Sequence, residues 1–218
     1  IFKPIPETDE LYQKYYNDIK VKNKVDFVLF WNNRNIRRKL PGDVILAFKH
    51  FRDQLPDDQK DNVLLLMHTQ PVDQNGTDLR AIWENIAPEC KLLFSEAKVG
   101  AADLNAIYNV ADVTINIASN EGWGLSSTES LLAGTPIINN VTGGLQDQCR
   151  FEDENGDWIT FDDVFSTNHN GKYKKHGTWV RPVFPSNRSL QGSPMTPYIF
   201  DDRVNFEDVA DAIRRWYD

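Results

Sequence analysis

The sequence predicts a doubly wound α/β fold, a parallel sheet with helices on both faces. Three observations predict it. Short apolar runs alternate with amphipathic segments between about residues 20 and 150. The runs lack strict in–out alternation, as strands covered on both faces do. The chain has 218 residues, 40% of them hydrophobic, with six Trp and twelve Phe to fill a core. Crossovers between such strands should be right-handed.

The elements follow in order. "VDFVLFW" (25–31) reads as a buried strand. "PGDVILAFKHFRDQL" (41–55) reads as a helix: Pro41 suits its first turn, and Val44, Ile45, Phe48, Phe51 and Leu55 share a face. "NVLLLMH" (62–68) is a strand, and "TDLRAIWENIA" (77–87) a helix with Leu79, Ile82, Trp83 and Ile86 inward. "KLLFS" (91–95), "VTINIA" (113–118) and "TPIINN" (135–140) are strands. "AADLNAIYNVA" (101–111) and "LSSTESLLAG" (125–134) are helices, the second ending on Gly134 as a C-cap. Residues 151–177 are polar, with Asn155-Gly156 and Asn170-Gly171 turns, and read as an insertion or long loop. A closing strand and helix occupy 178–218, the helix being "VNFEDVADAIRRWY" (204–217).

Ligands of doubly wound folds bind beyond the carboxyl ends of the strands. The candidate loops are therefore 32–40, 69–76, 96–100, 118–124 and 140–144. In the first, Arg34, Arg37, Arg38 and Lys39 precede a helix. Guanidinium groups can clamp phosphate oxygens in pairs, and a helix start adds positive potential. A solvated basic loop is the plain alternative. "NEGWGLSSTES" (120–130) places Gly122, Trp123 and Gly124 before Leu125 and Ser126, where first-turn N–H groups would face an anion. An ordinary βα turn capped by Ser126, Ser127 or Thr128 is the alternative there. Glu121 and Glu129 could be an acid/base pair, or acceptors for sugar hydroxyls. Gly143-Gly144 makes a further close-approach turn. Neither a G-x-G-x-x-G fingerprint nor a P-loop is present.

A net charge of −8 argues against a general nucleic-acid binder. No apolar run approaches a membrane span. His50, His68, His169 and His176 show no ligand spacing, so no metal site is expected. Cys90 and Cys149 are isolated, as free thiols in a reducing compartment would be. The sequons at Asn75, Asn140 and Asn187 carry no weight in a cytosolic setting. The opening "IFKPIPETDE" reads as the cut edge of a longer protein.

Taken together, these residues resemble the donor-binding, C-terminal, Rossmann-like domain of retaining GT-B glycosyltransferases of the family 4, or group 1, kind. The likeness rests on E-x₇-E as Glu121…Glu129, on "ESLLAGTPII" (129–138), and on Arg34 and Lys39 ahead of "ILAF". "LNAIYNVADV" (104–113) and "FKP" (2–4) add to it, and "WVRPV" (179–183) more loosely. Leu40 stands where that family has Gly, and "HTQP" (68–71) replaces its G-x-G. The resemblance implies that residues 1–218 are a donor domain whose N-terminal acceptor domain is absent from this chain. The donor would be a UDP- or GDP-linked sugar, used without cofactor or metal. Arg34 and Lys39 would hold its diphosphate, with Arg37 or Arg38 as substitutes for Arg34. The N–H groups at Gly124 and Leu125 would assist, Glu121 would bind sugar hydroxyls and Glu129 the ribose. The whole enzyme would transfer a hexosyl group to a sugar, lipid or protein acceptor, in the cytoplasm or peripheral to a membrane, and the isolated domain would be inactive. A non-catalytic nucleotide-sugar module and a GT-B sugar-nucleotide epimerase are the competing readings.

Overall fold

A computed structural model of the chain describes residues 1–159 and 173–218. The expected Asn170-Gly171 turn and His169 lie outside the described residues. Six strands form one sheet: β1 (Phe27–Asn32), β2 (Val63–His68), β3 (Leu92–Ser95), β4 (Val113–Asn116), β5 (Ile137–Asn140) and β6 (Val180–Val183). Every pairing in it is parallel, in the order β3-β2-β1-β4-β5-β6. The order reverses at β1, so the crevice between the carboxyl ends of β1 and β4 is the switch point where such sheets bind ligands.

Helices cover both faces because alternate strand residues serve opposite cores. Leu29, Trp31, Leu65 and Met67 pack under α2 (Pro41–Asp53), α3 (Leu79–Ile86) and α7 (Phe206–Tyr217). Val28, Phe30, Leu64 and Leu66 pack on the other side under α1 (Glu10–Tyr16), its π-helical extension (Asn17–Val21) and α4 (Ala101–Val110). Burying each of these side chains contributes about 1.5–3 kcal/mol, which is why the strands read as unbroken apolar runs. Val44, Ile45, Phe48, Phe51 and Leu55 are all buried. Ile86 departs from expectation: it is exposed at the end of the short α3, and Ala87 takes the inward place.

Helix α5 (Leu125–Ala133) ends on Gly134 at φ 89°, whose N–H donates back to the Ser130 and Leu131 carbonyls. The short α6 (Gly143–Asp147) follows β5. The described ends of the 151–177 segment are anchored. Phe151 is buried against Tyr173 and Phe184, and Glu152 bridges to both Trp158 and Lys175. Between β6 and α7 lies an unforeseen antiparallel hairpin, β7 (Asn187–Ser193) and β8 (Thr196–Arg203), forming a separate two-stranded sheet.

Candidate functional site

The switch-point crevice is built by three pieces of chain. Beyond β1, Arg37–Lys39 form one 3-10 turn, and Leu40 then starts α2 at φ 51°. A left-handed conformation costs a non-glycine residue roughly 1–2 kcal/mol. Leu40 holds it with its side chain buried in the core, which offsets that cost. The position where a glycine is the expected residue thus keeps the backbone geometry a glycine would favour.

Beyond β4, residues 119–124 lead to α5. Gly124 is its N-cap at φ 88°, and no side chain caps the helix. A Cβ on Gly124 would lie 2.4 Å from Leu145 Cδ2, so the turn needs glycine there for space as well as for φ. Gly143 and Gly144 support this loop from below. A Cβ on Gly143 would meet the Glu121 carbonyl at 2.1 Å, and one on Gly144 the Gly122 carbonyl at 2.3 Å. The close approach these two glycines permit is to the 121–123 backbone, and the Gly144 N–H donates to the Glu121 carbonyl at 3.0 Å.

Lys39 and Glu121 form an ion pair here, each side chain about one-tenth exposed. Arg38 Nη1 donates to Glu121 Oε2 at 3.1 Å and to the Asn120 carbonyl at 3.0 Å. Burial works to raise the Glu121 carboxyl, but Lys39 and Arg38 outweigh it and hold the group below the usual glutamate value. Glu129 is held by a hydroxyl instead of a cation. Its Oε2 accepts from the Tyr108 hydroxyl at 2.9 Å, which accepts in turn from Asn32 Nδ2 at 2.8 Å. Burial pushes the Glu129 carboxyl above its usual value, and the Tyr108 hydrogen bond opposes this only in part.

Of these groups, Asn32, Lys39, Glu121 and Glu129 line one open cavity of about 500 Å³. Lys39 and Glu121 stand on its wall with Glu129, and Trp123, Gly124, Leu125 and Ser126 also line it. Trp123 and Leu125 are exposed apolar groups, the indole being fixed by its Nε1 donating to Thr128 Oγ1 at 2.8 Å. Arg34 is not among them. It turns to Asp73, with Nε 3.0 Å from Oδ2, and lines an adjoining cavity of about 360 Å³ with His68, Ser95 and Lys98. Asn32 and Asn33 border both cavities. The sequence-predicted residues therefore divide. Arg38, Lys39 and Glu121 converge, Glu129 shares a cavity with Lys39 and Glu121, and neither Arg38 nor Arg34 lines it. Among the described residues, no group of three or more His, Cys, Asp or Glu is arranged to hold a metal ion.

Several residues escaped the sequence reading. Asn32 and Tyr108 fix Glu129, and Tyr108 sits within "LNAIYNVADV", a stretch read only as a marker. Asn35 is buried and ties the first loop to the second. Its Nδ2 donates to the Pro71 and Thr77 carbonyls at 3.0 and 2.7 Å. Gln148 Nε2 donates to the carbonyls of Trp123 and Gly124. No local pattern marks a long-range polar clamp of this kind.

No protein-family profile matches the sequence. The fold has many counterparts among solved structures. One is the C-terminal domain of a glycosyl transferase group 1 family protein from Francisella tularensis, with a TM-score of 0.51 over 72% of this chain and 75% of that one, at 16% identity. The chain has the fold of the C-terminal domain of a GT-B glycosyltransferase. HepE from Anabaena, solved in complex with UDP and glucose, aligns with all of this chain and 44% of its own, at a TM-score of 0.61 and 14% identity. WaaG, a glycosyltransferase involved in lipopolysaccharide biosynthesis, aligns with 99% of this chain and 45% of its own, at a TM-score of 0.58 and 14% identity. By sequence, the chain is 30% identical over 108 residues to the trehalose synthase of Pyrococcus horikoshii, which is 49% of this chain and 26% of that protein. The matched stretch spans about a quarter of the length of the curated relatives. Among the described residues, no helix is long and apolar enough to cross a membrane.

Proposed function

We propose that residues 1–218 are the donor-binding domain of a retaining glycosyltransferase that uses a nucleoside-diphosphate sugar. The observation that carries this reading is the single cavity at the switch point. Lys39, Glu121 and Glu129 line it, Arg38 pairs with Glu121, and the α5 N-terminus there is uncapped. In this reading the diphosphate lies across the start of α5. Lys39, Arg38 and the first-turn N–H groups neutralise it. Their charges matter most as the bond from the anomeric carbon to the diphosphate oxygen breaks and negative charge gathers on the leaving group. Lys39 is nearly enclosed, so its field there is less screened by water. No metal or cofactor is needed for that role. The acceptor hydroxyl bonds to the anomeric carbon on the face the diphosphate leaves, and its proton passes to the departing diphosphate oxygen.

Glu121 then exchanges its cations for hydroxyls of the donor sugar, and Glu129 accepts from the ribose. Arg38 takes the part expected of Arg34, because Arg38 already stands beside Lys39. The transferred group is a hexosyl unit, a reading supported by the likeness to the trehalose synthases and to the HepE complex with UDP and glucose. UDP is the first nucleotide to test, with GDP next. The acceptor is a sugar, lipid or protein hydroxyl presented by an N-terminal domain outside residues 1–218, so the isolated domain binds donor without transferring it. The setting is cytoplasmic, at a membrane surface if the acceptor is a lipid. Calorimetry of the domain against UDP, GDP and ADP and their sugars is the test, and failure to bind any of them would sink the reading.

A further inference from the structure

The anchor of the hairpin lies on the far side of the site loops from the cavity. Asp201, near the end of β8, has no solvent exposure. Its Oδ2 accepts from Arg37 Nη1 at 2.7 Å, and its Oδ1 accepts from Ser119 Oγ and Asn120 Nδ2, both at 3.0 Å. Arg37 belongs to the turn that carries Arg38 and Lys39, while Ser119 and Asn120 directly precede Glu121. The two loops are also joined to each other, since the Ser119 N–H donates to the Arg38 carbonyl at 2.8 Å. The next residue, Asp202, adds a backbone donation to the Ser119 carbonyl at 2.8 Å. A carboxylate holding three donors from two separate loops fixes the distance between them, and burial makes each lost partner costly.

We infer that Asp201 is a positioning residue for the donor site, setting the Arg38–Lys39 turn and the Glu121 loop at the separation a diphosphate sugar requires. This rests on the donor-binding reading above. Asp201 itself does not line the cavity, so it acts through its three partners. The hairpin thereby does more than decorate the sheet. Its base is a strut that ties the loop after β1 to the loop after β4, and sequence separations of 164 and 82 residues are spanned by one side chain.

The test uses the whole 218-residue chain and two readouts. In Asp201→Asn, one of the two accepting oxygens becomes an amide NH2, so either Arg37 or the Ser119 and Asn120 pair loses its acceptor. Hydrogen–deuterium exchange should then rise at residues 37–39 and 119–121, with β1, β2 and α2 unchanged. UDP affinity should fall about tenfold, and the loss should shrink when Lys39→Ala is already present, since coupled groups are non-additive. Unchanged exchange in the two loops, or an equal loss in both backgrounds, would overturn the strut. If the parent chain binds no nucleotide, the donor-binding reading fails while the exchange arm still decides the strut. Should Asp201→Asn not fold, Asn120→Ala removes one donor and keeps Arg37 on Asp201, and the same two readouts apply.

Discussion

The two halves of the sheet are built from different materials. On the β3-β2-β1 side, the buried side chains include Val28, Leu29, Phe30, Trp31, Leu64, Leu65, Leu66 and Met67. On the β4-β5 side, burial is shared with Thr114, Asn116, Asn139, Asn140 and Thr142, and with Asp201 and Asp202 of the hairpin. Apolar contacts are non-directional and tolerate small shifts. Hydrogen bonds fix separations and are costly to leave unmade. The first half is therefore a base that tolerates small shifts, and the second a gauge that sets where the loops stand. Asn140 illustrates the gauge. Its Nδ2 donates to the carbonyls of Ala118 and Asp202 at 2.9 and 2.7 Å, joining a site loop to the hairpin.

Substitutions on the two sides should break this contrast in different ways. The largest effect falls on the apolar side. Phe48→Ala removes a fully buried ring and should cost about 3–5 kcal/mol, read as a fall in Tm with the loop geometry of the surviving fold intact. Gly144→Ala strikes the polar side. The new Cβ would meet the Gly122 carbonyl, so the expected cost is about 1–3 kcal/mol by overpacking. Here a disproportionate loss of UDP affinity should accompany the fall in Tm, and parallel losses in Phe48→Ala would erase the distinction. Glu129→Ala should lower nucleotide affinity by roughly 1–3 kcal/mol with little change in Tm, and unchanged calorimetric affinity in a folded variant would remove its ribose role.

Acid should loosen the polar side first. Glu121 and Asp201 are both held below their usual carboxyl values, by partners that overcome burial. Depressed carboxyls contribute stability that is complete above their usual values and lost as pH falls through the lower folded ones. Exchange at residues 119–121 should therefore rise in that acid range before exchange in β1 and β2 does. Simultaneous loss in all of them would show one cooperative unit. Glu129, pushed up by burial, takes its proton at higher pH than an ordinary glutamate, so UDP affinity should already decline there. The smallest effect is expected of Arg34→Ala, whose partner Asp73 is met at the exposed rim. Neither Tm nor UDP affinity should change measurably, and a tenfold affinity loss would return Arg34 to the site.

Legibility in the sequence follows the same divide. The apolar half announces itself, because residues buried on both faces leave runs such as "VDFVLFW" and helices such as α2 leave a periodic face. The doubly wound parallel sheet and the glycine turn before α5 follow from that reading. The hairpin left no such trace. Leu190, Tyr198 and Phe200 are exposed, and Gly192 and Pro197 interrupt the alternation, so burial imposes no period there. The links of Asp201 to Arg37 and of Asn32 to Tyr108 join residues far apart in sequence, which no local pattern encodes. Four cations in one loop drew attention to the carboxyl end of β1. Which of them faces Glu121 depends on Leu40 and the 3-10 turn, and the sequence alone left Arg34, Arg37 and Arg38 open.

The Lys39–Glu121 pair has a further consequence. A tethered carboxylate beside the ammonium is a built-in competitor, present at an effective concentration on the order of millimolar or above. A small anion such as inorganic phosphate gains only the cation and strands Glu121. A ligand that brings hydroxyls along with its phosphates satisfies both partners at once. On the donor-binding reading, the self-paired site would act as a filter that favours a sugar joined to a phosphate over either part alone.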